Sequence, residues 1–300
     1  MKKEIFKSFD GTELVCQLWD EVEAPKGVVQ LSHGMAEHIE RYDAFAQYLN
    51  KNGFIVFGDN HRAHGETAGA HVGYQDGNIF EDTAQDLIAI TKMLKEKYNL
   101  PVVLLGHSYG SFLSQRYLEL NGDAVGVILS GSAKMSGILP AVGKMVANII
   151  YSEDNAKEPG KTMDKLSFGS YNKPFKADGE FAWLSRDLEN NKKYVADPLS
   201  GMVMSNAFFK YFMDGLANMY KKENLALVKK DAKIRIFSGD KDPVGSNGKS
   251  PVALCDMYKG LGIADVKVKL YPDARHEILN EINKEEVYKD MLDAINYFLA

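Results

Sequence analysis

Cysteine is scarce. Cys16 and Cys255 are the only two in 300 residues, too few for a disulfide framework. Cys16 sits in a strand-like pattern, so both are expected to be buried thiols, and a cytoplasmic location follows as the default. No run approaches the roughly 18 apolar residues needed to cross a bilayer. The opening Met1-Lys2-Lys3-Glu4-Ile5-Phe6-Lys7 has lysines but no apolar stretch behind them, so it does not read as a signal peptide. Lys/Arg-rich runs are missing and the net charge is −5, which argues against nucleic acid or an anionic membrane surface as a primary partner. Neither G-x-G-x-x-G nor G-x-x-x-x-G-K-S/T occurs, so no Gly-rich phosphate loop is expected. Internal repeats and low-complexity tracts are also missing.

What is present suits a soluble globular protein: 45% hydrophobic and 26% charged residues supply a large core under a polar surface. Residues 3–19 read as a hairpin around Asp10-Gly11. Short apolar strands follow at Gly27–Leu31, Phe54–Phe57, Val102–Leu105, Gly126–Leu129 and Lys233–Ser238, and Asp265–Tyr271 alternates strictly. Between them run amphipathic stretches at 41–52, 81–98, 111–118, 251–259 and 284–299. Alternation of apolar strands with helices predicts an α/β fold with a mostly parallel central sheet flanked by helices.

That alternation stops between about Ala133 and Leu225. The stretch holds seven of the twelve methionines and Pro140, Pro159, Pro174 and Pro198 as punctuation, with no convincing strand. It reads as a helical cap or lid insertion over 133–225, dividing a catalytic domain into 1–132 and 226–300. Its Met, Trp183, Phe208, Phe209, Tyr211 and Phe212 side chains either fill a core or give a flexible apolar lining for a ligand.

The chain is organised around Gly106-His107-Ser108-Tyr109-Gly110. Strand, G-x-S-x-G, helix is the setting of a nucleophile elbow, a sharp turn that lifts the serine hydroxyl clear of the sheet. Small residues two before and two after the serine let the backbones approach. A serine hydroxyl needs a base, and the base an acid to fix its tautomer; on such elbows they follow in the order Ser, Asp/Glu, His. Of seven histidines only His276 follows Ser108, in the loop after the last strand. Asp240 and Asp242 both follow the preceding strand; position alone leaves both open and favours Asp242. Acyl transfer also needs two oxyanion donors, expected at the amides of Tyr109 and of Met35 in Ser32-His33-Gly34-Met35. His33 is expected to brace that loop. His61, His64 and His71 with Asp59 invite a metal site, but they lie in a loop with no completing ligand set, so no metal is expected.

The segments His33-Gly34-Met35-Ala36-Glu37-His38, Asp59 to Gly65, Gly106 to Gly110, Ser185-Arg186-Asp187 with Asp197-Pro198-Leu199, Gly239 to Asp242, and Ala274-Arg275-His276-Glu277 occur in one order. Together they resemble the monoacylglycerol lipase/lysophospholipase-like branch of the α/β-hydrolases over nearly the whole chain. The resemblance implies an α/β-hydrolase fold, a nucleophile at Ser108, an acid at Asp242 rather than Asp240, a base at His276 and oxyanion donors at Met35 and Tyr109. The larger Met35 and Tyr109 depart from the family and are expected to alter the acyl pocket. The expected activity is hydrolysis of a small-molecule carboxylic ester with an apolar acyl chain, without metal or organic cofactor, and with transient contact to lipid surfaces through the cap. An aminopeptidase or thioesterase would use the same triad; a ligand-binding protein on the same scaffold would normally have lost part of it.

Overall fold

A computed structural model describes residues 1–135 and 138–300; Ser136 and Gly137, within the expected insertion, lie outside the described residues. Eight strands form one sheet: β1 (Lys2–Lys7), β2 (Glu13–Trp19), β3 (Gly27–Ser32), β4 (Phe54–Asp59), β5 (Val102–His107), β6 (Gly126–Ser130), β7 (Ile234–Gly239) and β8 (Val266–Tyr271). Their order is β1-β2-β4-β3-β5-β6-β7-β8. β1 and β2 pair antiparallel, as do β2 and β4, and the other six strands run parallel. The hairpin turn is longer than Asp10-Gly11 alone predicts: the register stops at Lys7–Glu13, and Ser8 to Thr12 form a closed loop in which the Ser8 amide donates to the Thr12 carbonyl.

The helices are α1 (Asp43–Lys51), α2 (Ile79–Tyr98), α3 (Tyr109–Glu119), α4 (Ile138–Ile150), α5 (Lys161–Phe168), α6 (Leu188–Ala196), α7 (Asn206–Met219), α8 (Lys222–Leu225), α9 (Lys249–Gly260) and α10 (Lys284–Leu299). Because strand side chains alternate between faces, β5 sends Val103 and Leu105 into one core and Leu104 into the other. The first core joins Phe45 and Leu49 of α1 to Val287, Met291 and Ile295 of α10. The second joins Leu87 of α2, Leu113 and Tyr117 of α3 and Leu254 of α9. α2 begins two residues before the expected start because Asn78 caps it, its side chain accepting from the Glu81 amide; Asn99 ends it with a left-handed φ of 52°.

Between β6 and β7 the described residues carry α4 to α8 and no strand. Met163, Met204, Phe208, Phe209, Phe212, Met213 and Met219 of this segment are buried in the core shared with α2 and α3, so these side chains serve packing. Met145 instead is exposed.

Candidate active site

The C-terminal ends of the parallel strands are in register, Ser32 beside Gly106 and His107 beside Ser130. In an open α/β sheet the crevice beyond those ends is where ligands bind. Ser108 stands there between β5 and α3, partly exposed, with φ 50° and ψ −116°. That conformation is strained for any residue with a side chain. It is held because the Ser108 amide donates to the Ser130 carbonyl at 2.9 Å and the Ser111 amide closes back on the Ser108 carbonyl at 2.8 Å. The two flanking glycines are required by space: a Cβ on Gly106 would collide with the Gly110 carbonyl, and one on Gly110 with the Ser32 carbonyl.

His276 lies in the loop after β8 and Asp242 in the loop after β7, both buried. The His276 Nδ1 and Asp242 Oδ2 are 2.9 Å apart. Asp242 also accepts from the Val244 amide at 2.8 Å through Oδ1. Asp240 faces away from this pair and accepts from the Asp273 amide at 2.7 Å. The backbone at Gly131, just past Ser130, passes against the His276 ring, so that a Cβ there would lie 3.1 Å from Cε1. A Cβ on Gly131 would also lie 3.0 Å from the His107 Cε1, so the chain past β6 runs against the rings of both His107 and His276. Burial pushes the His276 pKa down, but the Asp242 carboxylate overrides it and leaves it raised. His107, whose ring centroid is 4.8 Å from that of His276, is pushed down to about 4 by burial and by its histidine neighbour, so near neutral pH it adds no second positive charge. Trp183, from the segment between β6 and β7, lies over His276 at 5.1 Å between ring centroids.

The Met35–Ala36 turn faces the elbow. A Cβ on Gly34 would lie 3.3 Å from the Ser108 Cβ, so only glycine lets the turn approach this closely. The Tyr109 amide, at the first position of α3, has no intrahelical acceptor and adds the helix N-terminus to the site. The Tyr109 ring is turned away: it is buried among His64, Phe80, Phe208 and Phe212 with centroids 5.2 to 6.2 Å away. Its size therefore bears on packing of α7 against the elbow. Met35 is partly buried against the same core.

The histidines behind the turn are hydrogen-bonded. His33 accepts from the His61 amide at Nε2, 3.0 Å, which places its proton on Nδ1 for the Gly34 carbonyl at 2.7 Å. His61 sets Nδ1 on Asp59, 2.8 Å, and Nε2 on the Ser32 hydroxyl, 3.0 Å. His64 donates from Nδ1 to the Arg62 carbonyl, 2.9 Å, and burial pushes its pKa down to about 3. His71 is exposed. Among the described residues no cluster of His, Cys, Asp and Glu forms a metal-binding group.

Sequence reasoning missed three links. Glu37 accepts from the Gly34 amide at 2.6 Å and pairs with Arg41, which also binds Glu277, next to His276. His38 joins Glu40 to Asp197. Arg186, in the Ser185-Arg186-Asp187 run, pairs with Glu281, and Ser185 donates to the Asn280 carbonyl. The motif positions of Glu37, His38 and Arg186 were visible; the distant contacts were not, with Asp197 lying 159 residues from His38, Glu281 95 from Arg186, and Glu277 236 from the Arg41 that pairs with Glu37.

A family profile described as "Serine aminopeptidase, S33" matches residues 23–283. The chain is similar to a monoacylglycerol lipase of Mycolicibacterium smegmatis, 29% identical over 293 residues that cover 95% of this chain and 94% of that one. It is also similar to the monoglyceride lipase of Homo sapiens, 27% identical over 295 residues, covering 97% and 88%. Among solved structures, a highly thermostable carboxyl esterase from Bacillus coagulans, determined in complex with glycerol, superposes with a TM-score of 0.90 at 26% identity and covers 100% of this chain and 99% of its own.

Proposed function

Because the chain belongs to the serine aminopeptidase family of α/β-hydrolases, we propose that it hydrolyses carboxylic esters through Ser108, with monoacylglycerol- or lysophospholipid-like lipids as its substrate class. The observation that carries this is the strained elbow serine beside a buried His276–Asp242 pair. In this scheme the Ser108 hydroxyl attacks the ester carbonyl while His276 Nε2 takes its proton, and Asp242 holds the Nδ1 proton and stabilises the imidazolium. The Met35 and Tyr109 amides bind the oxyanion. The tetrahedral intermediate expels the alcohol, which leaves with the proton from His276. Water, deprotonated in turn by His276, then cleaves the acyl-enzyme and frees the acid and Ser108. Every step is proton transfer and acyl transfer, so no metal or organic cofactor is required.

Residues 1–132 and 226–300 act as the catalytic unit and 133–225 as a cap over it. Trp183 over His276 supports that role. The outer face of α4 presents Ile138, Val142, Met145 and Ile149 to solvent, four apolar side chains on one helical stripe, which suits transient contact with a lipid surface. No helix among the described residues is long and apolar enough to cross a membrane. Two free, buried thiols fit a reducing compartment such as the cytoplasm. Similarity to proteins named as monoglyceride lipases supports the ester reading over the amide one.

The family profile, described as a serine aminopeptidase, favours cleavage of an aminoacyl amide as the second reading. Hydrolysis of p-nitrophenyl esters from acetate to palmitate, with wild type and Ser108→Ala side by side, separates these. Activity that peaks at medium or long chains and vanishes in the variant is expected. An inactive wild type that cleaves aminoacyl p-nitroanilides, and loses that in Ser108→Ala, would replace the ester assignment.

A further inference from the structure

The Met35–Ala36 turn is held from outside as well as from behind. Ala36 has a left-handed φ of 55°, costly for a residue with a Cβ. Its carbonyl accepts two hydrogen bonds from the inserted segment, one from the Gly201 amide at 2.8 Å and one from the Tyr194 hydroxyl at 3.1 Å. Two residues on, His38 places Nδ1 2.6 Å from Glu40 and Nε2 2.6 Å from Asp197. Asp197 in turn organises its own turn, accepting from the Leu199 amide at 2.9 Å and the Ser200 hydroxyl at 2.7 Å.

A neutral imidazole has one N–H and one lone pair. A lone pair 2.6 Å from a carboxylate oxygen is repulsive, so this double contact requires the imidazolium. The charged groups facing His38 are Glu40 from its own turn and Asp197 from the insertion. Glu37 and Arg41 are taken up with each other and with Glu277. His33 behind is kept neutral, burial holding it well below its usual range.

We propose that His38 and the Asp197–Gly201 turn are positioning residues for the oxyanion-hole amide of Met35, so that seating of the inserted segment and assembly of the oxyanion hole are one event latched by the His38 cation. This rests on the hydrolase function proposed above. Burial opposes the charge on His38, but Glu40 and Asp197 outweigh it and raise its pKa. The latch is therefore complete below the ordinary imidazole value of about 6.5 and opens as pH rises through the elevated one. His276 works in the opposite sense, becoming a competent base as pH rises, so the two histidines set the two limbs of the profile.

The test compares wild type, Asp197→Ala and Asp197→Asn on p-nitrophenyl butyrate from about pH 5 to about pH 10, with phosphonate labelling of Ser108 in parallel. In Asp197→Asn the introduced amide can donate to neutral His38, so the latch no longer needs a proton. Asp197→Ala should lower kcat about tenfold, a fraction of the loss of a whole oxyanion donor, with KM within about twofold. Asp197→Asn should keep neutral-pH kcat and lose the alkaline fall. An Asp197→Ala variant with wild-type kcat and only a lower Tm, or an alkaline limb unchanged in Asp197→Asn, would overturn the proposal. A wild type neither labelled nor active would overturn the hydrolase function itself, and this inference with it.

Discussion

Arg41 grips Glu277 through two parallel hydrogen bonds of 2.7 Å each. The same guanidinium pairs with Glu37, whose other oxygen receives the Gly34 amide. A fork of this kind fixes orientation as well as distance. It therefore ties the loop that carries Met35 to the residue that follows His276. Burial alone would raise the Glu277 carboxyl, yet Arg41 holds it well below the usual carboxylate range.

Removing the cation should be costly for that reason. Arg41→Met would leave Glu37 and Glu277, both buried, facing each other without a counter-charge. A loss of about 3–5 kcal/mol in unfolding free energy is expected from breaking a buried pair on one side. Urea unfolding reads it directly. Arg41→Lys, which restores charge without the fork, should recover part of that loss. A Met variant within about 0.5 kcal/mol of wild type would mean the two carboxylates find protons or water at little cost.

The elbow stores strain that the nucleophile position can report. At an ordinary helix or loop site alanine is favoured over glycine by about 0.5–1 kcal/mol. At φ 50° and ψ −116° the preference should invert, because a Cβ is strained there and its absence is not. Ser108→Gly is thus expected to be more stable than Ser108→Ala by about 1 kcal/mol. Denaturant midpoints of the two inactive variants measure the difference. Alanine the more stable of the pair would show an unstrained turn.

These positions also mark what the sequence could and could not tell. The sheet and the elbow were legible because their signals are local: apolar runs such as Val102–Leu105, then small residues where Gly106 and Gly110 admit no Cβ. The pairing of His276 with one of two aspartates was narrowed by chain order, but Asp240 and Asp242 differ by only two residues; which carboxylate turns inward depends on the loop, where the Val244 amide holds Asp242. The bridge through Arg41 and the latch on His38 were illegible, since each joins segments that only the tertiary fold brings together. Tyr109 shows the converse. Its departure from the family pattern suggested a pocket residue, yet its ring turns away and packs against Phe208 and Phe212 of α7.

With His276 as the proposed base, the pH dependence of turnover follows from its surroundings. Its pKa is raised by the Asp242 carboxylate, with Glu277 adding to it. Since the base must be neutral, kcat/KM should rise with pH through a value above about 6.5. The stability contribution of the same pair has the opposite sense, present below that ordinary value and lost as pH rises through the elevated one. Glu277→Gln removes one of the anions and should move the acid limb of kcat/KM to lower pH. A pH–rate profile of the two proteins decides; an unmoved limb would mean that Glu277 adds nothing to the shift that Asp242 and Glu37 produce.

The exposed stripe on α4 gives the last prediction. Ile138 and Ile149 are 80% and 75% exposed, and Met145 lies between them on the same face. Lone exposed apolar residues are ordinary, but four aligned on one helix form a patch, and each fully buried side chain of this size yields about 1.5–3 kcal/mol. Replacing Ile138, Met145 and Ile149 together by serine removes that gain while leaving the buried Ala147 face of the helix in place. Flotation with uncharged phosphatidylcholine vesicles should show wild type partly bound and the triple variant free. Hydrolysis of a short soluble ester should be equal in both, because the chemistry at Ser108 is unchanged, whereas turnover of vesicle-borne monoacylglycerol should fall with the binding. Equal vesicle turnover by both proteins would mean that substrate reaches the site from solution and that the stripe serves something other than lipid.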